Sequence, residues 1–534
     1  MQAVRSALWS HALQAVVAVW PRTLQARTLC RAMSRSAAGA EVRTFVGLKE
    51  RCYLVRGARN FALYDLEGGR VYQVRGRAED VLRLASEGLR AEEIASRLGR
   101  GFLRLLSEGG LIRLSHKWEF RPFPVPEAGQ ERLEFMWLEL TSRCNLRCVH
   151  CYAGAGPGRS LDLPTEYWKC ALSEAADLGC GQVQFTGGEA TLREDLRELV
   201  EFARGRGYEF IEVFTNATLM DDEKAGWMAD LGVKVAVSLY SHRPDVHDRI
   251  TGRQGSFSRT VRGIELLLEH GIPLRMAIII MKENEEDIGD TVKFLEELGV
   301  DPHKIGTDVV RPTGRGREVP DRYPKTTCPD FWLWDITRNR CWPGKIAITP
   351  QGDVIPCIFA RDLVVGRYEG GNLADIVRGE ELQRLWDITL DEVQVCRDCE
   401  FRYACWDCRA IAYTTTGNLY AKSPRCAYDP YNGRWPDAEG GMQMEGIPER
   451  PLSRDDLIFR EIDEEAVIFD PETGSMHSLT KTAALIWKLC DGEHRIDDIV
   501  EEILTRFEAW PEEVREDVEG MVRKFRALGL LKSG

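Results

Sequence analysis

The chain has 534 residues, 44% apolar and 29% charged, with a net charge of -13. That length suits about three to four domains, and no apolar run reaches the roughly 18 residues of a membrane-spanning helix, so neither composition nor hydropathy supports a membrane partner. The acidic balance argues against nucleic acid, because phosphate binding needs clustered Lys and Arg. Sixteen cysteines without a signal peptide, at metal-type spacings, place the protein in a reducing compartment, read here as the cytoplasm.

Residues 1–42 read as a tail; its first 40 contain five arginines and no acidic residue. That composition fits a transit peptide or a mispredicted start, with Met33 as a later one, and the tail is assigned no catalytic role. Residues 43–120 form a first module. Asn60 to Val74 alternates apolar residues around Gly68-Gly69 and predicts a β-hairpin; helical patterns follow over 78–84 and 91–98, then the apolar ending Gly109 to Leu114. The Pro-rich stretch 121–131 reads as a linker.

The core is expected over 132–325. Leu133 to Leu140 reads as a buried strand, and on the loop after it Cys144, Cys148 and Cys151 are spaced Cys-x3-Cys-x2-Cys. Three thiolates this close can hold three irons of a 4Fe-4S cube and leave the fourth without a protein ligand. Strand-like runs Gln182–Phe185, Glu209–Phe214, Lys234–Leu239 and Leu274–Ile280 alternate with helical patterns, which implies an α/β class with parallel strands and crossover helices. The second run ends in Gly187-Gly188-Glu189; two glycines allow close backbone approach, and the carboxylate can accept from a charged amine.

This combination resembles the radical S-adenosylmethionine (SAM) superfamily, and the resemblance implies a partial (β/α)6 barrel. By analogy the cluster on Cys144, Cys148 and Cys151 binds SAM and cleaves it reductively to a 5′-deoxyadenosyl radical. Gly187, Gly188 and Glu189 match the motif for SAM's methionine amino group. Ser238 matches a polar residue near its ribose or carboxylate. Asn216, after Thr215, ends a strand on the presumed active face. His150 and Tyr152 flank Cys151, where the family uses an aromatic side chain against adenine; His150 reads equally as a solvent-facing loop residue.

Residues 326–430 hold a second cysteine block. Cys341 is followed by Gly352 and Cys357, then Cys396-x2-Cys399-x5-Cys405-x2-Cys408 and Cys426. This is similar to the SPASM extension, although the last short spacing is one residue under the family's three. The resemblance implies two auxiliary 4Fe-4S clusters, one on Cys328, Cys341, Cys357 and Cys408 and one on Cys396, Cys399, Cys405 and Cys426, with Cys328 as the eighth ligand. A zinc site on Cys396, Cys399, Cys405 and Cys408 is the competing reading. Cys30, Cys52, Cys170, Cys180 and Cys490 fit no ligand pattern and read as structural.

After a linker over 431–452, residues 453–534 repeat the first module's design: a hairpin over 465–479, helical patterns over 483–489 and 496–503, and the ending Leu528 to Lys532. Both modules read as small α+β winged-helix-like domains flanking the barrel. The C-terminal one resembles the PqqD-like domain of pyrroloquinoline quinone biosynthesis, also called the RiPP (ribosomally made, modified peptide) recognition element. In that family a leader peptide adds as a strand to an open sheet edge. The N-terminal module is a weaker match, read as a second, degenerate copy. Residues 43–118 carry 15 Lys and Arg against 9 Asp and Glu, whereas 453–534 carry 11 against 20, so the two are not expected to bind one ligand; the basic copy is expected to bind an acidic leader or dock on the acidic copy.

The expected function is therefore an enzyme: a radical SAM peptide maturase that modifies, by cross-linking, a precursor peptide held through its leader. Its expected electron donor is a ferredoxin or flavodoxin. The alternatives are the same core acting on a haem precursor, a sulfatase or a metalloenzyme, and a non-catalytic peptide-binding scaffold.

Overall fold

The computed structural model describes residues 45–67, 69–74, 93, 112–115, 132–158, 162–319, 341–405, 407–433, 448–462, 465–470, 476–506 and 511–532. The tail, the 121–131 linker, nearly all of the first module's helical patterns, Cys30 and Cys328 lie outside them.

Four short strands open the chain, β1 (Phe45–Leu48), β2 (Cys52–Arg56), β3 (Phe61–Asp65) and β4 (Arg70–Val74), and β5 (Ile112–Ser115) returns to pair antiparallel with β1. β3 and β4 are the expected hairpin. β2, which the alternation around Gly68 did not single out, completes a sheet of order β2-β3-β4.

The core is a nine-stranded sheet. Five of its strands are the expected parallel set, β6 (Phe135–Glu139), β7 (Gln182–Thr186), β8 (Phe210–Thr215), β9 (Lys234–Ser238) and β10 (Leu274–Ile280), and a sixth, β11 (Ile305–Val309), which no apolar run singled out, pairs parallel with β10. The crossovers are α1 (Thr165–Asp177), α2 (Leu196–Gly205), α3 (Asp222–Asp230), α4 (Pro244–Thr251) with α5 (Ser256–Glu269), and α6 (Ile288–Glu297). Each lays an apolar stripe on the sheet. In α2 the buried residues are Leu196, Leu199, Val200 and Ala203, the spacing of one helix face. α4 starts on Pro244 and stops at Gly252, whose φ of 67° is left-handed, the usual asymmetry of helix ends.

The sheet does not stop at the barrel. β12 (Lys345–Ile348) pairs parallel with β6, and β13 (Asp353–Ile355) and β14 (Gly366–Arg367) follow antiparallel. The second cysteine block is thus sewn onto the first barrel strand. Gly352, in the cysteine pattern, makes the β12–β13 turn at φ 89°, and a Cβ there would lie 2.6 Å from the Tyr167 hydroxyl. α7 (Leu373–Arg378), α8 (Glu380–Trp386) and α9 (Arg409–Thr416) complete this region.

The last module has a three-stranded sheet, β15 (Ile458–Ile462), β16 (Glu465–Phe469) and β17 (Met476–Thr480), then α10 (Lys481–Lys488), α11 (Ile496–Arg506) and α12 (Pro511–Ala527). Its core gathers Ile468, Trp487, Ile499, Val518 and Phe525. Leu531 closes it by bridging to Ser453.

The N-terminal sheet packs on the cysteine-rich region. Val55, Ala62 and Tyr64 share a core with Phe401, Ala404 and Tyr428, with Cys399 and Cys426 against it. The Tyr64 hydroxyl donates to the Glu400 carbonyl at 2.8 Å and the Asn60 amide to the Gly433 carbonyl at 2.8 Å. Gly433 belongs to the stretch read as linker. A Cβ on Gly57 would stand 2.6 Å from a Glu400 carboxylate oxygen and 2.7 Å from the Glu400 backbone nitrogen, and backbone cannot give way as a side chain can. Gly57→Ala should therefore loosen this interface by about 1–3 kcal/mol. Hydrogen exchange should then rise over residues 52–74 and 399–433 and stay unchanged in β6–β11.

Candidate functional site

The C-terminal ends of the six parallel strands form one face, where such folds place their chemistry. The loop after β6 carries Cys144, Cys148 and Cys151. It is held by backbone on three sides: Cys144 N–H donates to Gly156 O, Val149 N–H to Ile250 O at the end of α4, and Arg315 N–H to Cys151 O. The Arg315 guanidinium also donates to Cys148 O and Ala155 O, both at 2.8 Å. Arg315 follows β11 and carried no signal in the sequence.

Gly187 and Gly188 are closely approached by the chain's own backbone. A Cβ at Gly187 would lie 2.5 Å from Thr141 O and one at Gly188 would lie 2.0 Å from Arg143 O. The bare backbone lets Gly188 N–H reach Thr141 O at 2.7 Å and Glu189 N–H reach Arg143 O at 2.9 Å. The glycines thus admit the cysteine loop itself.

Glu189 is likewise occupied by the protein. One carboxylate oxygen accepts from Thr191 N–H, the Thr191 hydroxyl and the Thr215 hydroxyl, and the other from Asn216 N–H at 2.7 Å. Only 1% of the residue is exposed. It ties the end of β7 to the end of β8, and these bonds fix where its carboxylate stands. Asn216 does reach the site: its amide points at Cys144 Sγ, 3.9 Å away, and bonds Asn145 Oδ1 at 2.9 Å.

Ser238 ends β9 and is buried; the Tyr240 phenol lies beside both it and Cys148. His150 is buried rather than solvent-facing, its ring edge-on to Tyr240 at 4.7 Å. Burial, then the Arg315 charge, pushes its pKa down to about 3, so it is neutral. Burial also pushes the Cys144 thiol up to about 12, with Glu189 and Cys151 adding to the rise. Thiols held this way become good ligands only when a metal supplies compensating charge.

The cysteines of the second block lie in two neighbourhoods. Cys408 and Cys341 share a hydrogen bond that holds the Cys341 thiol up and Cys408 down; burial raises Cys357 to about 11, with Cys408 contributing. Cys396, Cys399, Cys405 and Cys426 act on one another instead. Cys408 stands with the first set, so the four cysteines of the zinc reading do not form one group. Among the described residues no three ligand side chains crowd round a single ion; thiols at the corners of a four-iron cube stand farther apart than the ligands of a lone ion. Of the cysteines read as structural, Cys52, Cys180 and Cys490 are buried, whereas Cys170 is exposed beside Glu174.

Residues 138–295 match the family model of the radical SAM superfamily, 341–400 that of the SPASM iron-sulfur cluster-binding domain, and 465–531 that of coenzyme PQQ synthesis protein D. The chain carries radical SAM, SPASM and PqqD domains. Its cofactors are 4Fe-4S clusters and SAM. The AdoMet-dependent heme synthase of Oleidesulfovibrio alaskensis is 26% identical over 57% of this chain and 89% of its own. The PqqA peptide cyclase of Gluconobacter oxydans is 29% identical over 58% and 94%, and the subtilosin biosynthesis protein AlbA of Bacillus subtilis 30% over 46% and 60%. Among solved structures, Streptococcus suis SuiB bound to precursor peptide SuiA aligns over 72% of this chain and 100% of that chain, at 15% identity and a TM-score of 0.46. No helix among the described residues is long and apolar enough to cross a membrane.

The radical SAM and SPASM domains meet at a buried charge pair. Glu139, at the end of β6, is fully buried and accepts from Arg361 Nη1 through both oxygens, at 2.7 and 2.9 Å. Burial raises its pKa against the opposing pull of Arg361. Arg361→Met would leave the carboxylate unpaired and should cost about 3–5 kcal/mol at neutral pH. A carboxyl whose folded pKa is raised binds its proton more tightly folded than unfolded, so the variant should regain stability as pH falls. Urea unfolding of the anaerobic apoprotein at pH 7.5 and 5.5 checks both statements. Glu189→Ala strands four donors and should cost at least about 1–3 kcal/mol in the same assay.

Proposed function

We propose that this enzyme is a peptide maturase: it binds a ribosomally made precursor through its leader and modifies one of its carbons by radical chemistry, with a cross-link as the product. The observation that carries this reading is the PqqD domain on the same chain as a radical SAM and SPASM core. The sheet of that domain supports it: among the described residues β15 and β17 each pair on one side only, with β16, which leaves edges for a peptide strand. The N-terminal sheet is assigned no leader here, since its inward face is already packed on the SPASM region.

Cys144, Cys148 and Cys151 hold the SAM-binding cluster, which supplies the electron for SAM cleavage. Backbone around Gly187 and Gly188, with Asn216, Ser238 and His150, shapes the SAM pocket. Neutral His150 and Tyr240 present apolar ring surface to it without adding charge. Cys341, Cys357 and Cys408, with Cys328, hold one auxiliary cluster, and Cys396, Cys399, Cys405 and Cys426 the other. The domain spans follow the sequence reading, at 132–325, 326–430 and 453–534. A ferredoxin or flavodoxin in the cytoplasm delivers the electrons.

Identity to haem synthases favours a second reading, a porphyrin substrate. Co-expression with short peptides encoded beside the gene, followed by mass spectrometry, separates the two. A peptide should change mass with the intact chain, stay unchanged with Cys148→Ala, and lose most of its modification when 453–534 is deleted. Turnover of a porphyrin that survives that deletion, with no peptide modified, would sink the peptide reading.

A further inference from the structure

Arg311 lies just beyond β11 on the active-site face, in no cysteine or glycine pattern. Its Nη1 donates to Cys408 Sγ at 3.2 Å, and its Nη2 bonds Asp308. The guanidinium carbon sits 4.8 Å above the Phe359 ring. Phe359 in turn meets Tyr152 edge-on at 5.2 Å, and Tyr152 is the neighbour of Cys151. The Arg311 side chain is only 13% exposed. Asp308 and the Phe359 ring would suffice to seat a guanidinium; the N–H directed at a ligand sulfur is an additional feature.

We propose that Arg311 is a positioning residue that raises the reduction potential of the auxiliary cluster on Cys341, Cys357 and Cys408, making it the more easily reduced of the two. One-electron reduction adds a negative charge to the cluster. An N–H bonded to a ligand sulfur and a fixed cation in a buried site both stabilise that charge. Asp308 offsets part of the cation but leaves the N–H on sulfur. Around the other set, Arg409 and Lys422 are opposed by Asp407 and Glu400; Arg409 is paired with Asp407 through Nε and Nη2, and this neutralised pair also borders Cys408, where Arg311 is the further cation. The two auxiliary sites are therefore electrostatically unequal, and the one facing the Cys151 loop through Phe359 and Tyr152 is the better acceptor.

The inference rests on the reading that Cys408 binds iron together with Cys341 and Cys357. The test is an EPR-monitored potentiometric titration, with dithionite as reductant, of the anaerobically reconstituted full chain. Arg311→Gln should move one of the three midpoints to more negative potential, leave the other two in place and keep the wild-type iron content. Arg311→Lys keeps the charge without the planar fork and should move the same midpoint less. No shift at any cluster, an equal shift at all, or loss of iron in both variants would overturn the proposal, the last by showing a purely structural role. Cys408→Ala tests the ligand reading separately: unchanged iron and unchanged spectra in that variant would overturn it whatever Arg311 does.

Discussion

The space that Gly188 leaves empty is the constraint on which the site depends. With the Arg143 carbonyl only 2.0 Å from where a Cβ would stand, no other residue lets the ends of β6 and β7 come together. Once they do, backbone bonds from Gly188 and Glu189 to Thr141 and Arg143 hold the segment that leads into Cys144. Glu189 carries the tie across to β8 through Thr215 and Asn216, and Asn216 returns to Cys144. A cluster with one open iron needs thiolates that do not drift, and here the restraint is mostly backbone, which side-chain rotamer changes cannot loosen.

Charge buried between domains is the second constraint. Glu139 and Arg361 join β6 to the loop after Cys357; within the barrel, the half-buried Arg315 ties the stretch after β11 to the SAM-cluster loop through backbone carbonyls. A buried pair such as Glu139–Arg361 adds little to stability against an apolar alternative, but it penalises any arrangement that separates its partners. With β12 paired along β6, it gives the SPASM region and the barrel one registered geometry.

Much of this was legible in the sequence, for local reasons. Strands β6 to β10 announce themselves as apolar runs, and the cysteine sets by spacing, because thiol geometry around a cluster is set over a few residues. What escaped was long-range. β11, Ile-Gly-Thr-Asp-Val, is too polar to read as a buried strand, and its central Gly306 and Thr307 are exposed because it is the sheet's edge. Arg311, Arg315 and Arg361 act on partners up to 222 residues away, and nothing near them marks that reach. The Gly187-Gly188 pair was read as space for a ligand; single-sequence reasoning cannot tell a ligand from the chain's own backbone. His150 was left open between pocket and solvent, which only the packing of Tyr240 decides.

The two small sheets show how similar local design can end in different roles. Both are three-stranded meanders followed by a late return of the chain to the module's start, β5 onto β1 in one and Leu531 onto Ser453 in the other. In the C-terminal module the sheet packs on its own helices and forms a closed core, so its edges stay available. In the N-terminal module every residue of β3 is buried, and Tyr64 and Val55 pack against residues around Cys399 and Cys426. Burial raises the Tyr64 phenol far above its ordinary range, with the neighbouring Cys399 charge adding to the effect, so it stays a neutral donor to the Glu400 carbonyl. A sheet committed in this way covers Cys399 and Cys426, whereas the C-terminal sheet, closed by its own helices, leaves β15 and β17 each paired on one side only among the described residues.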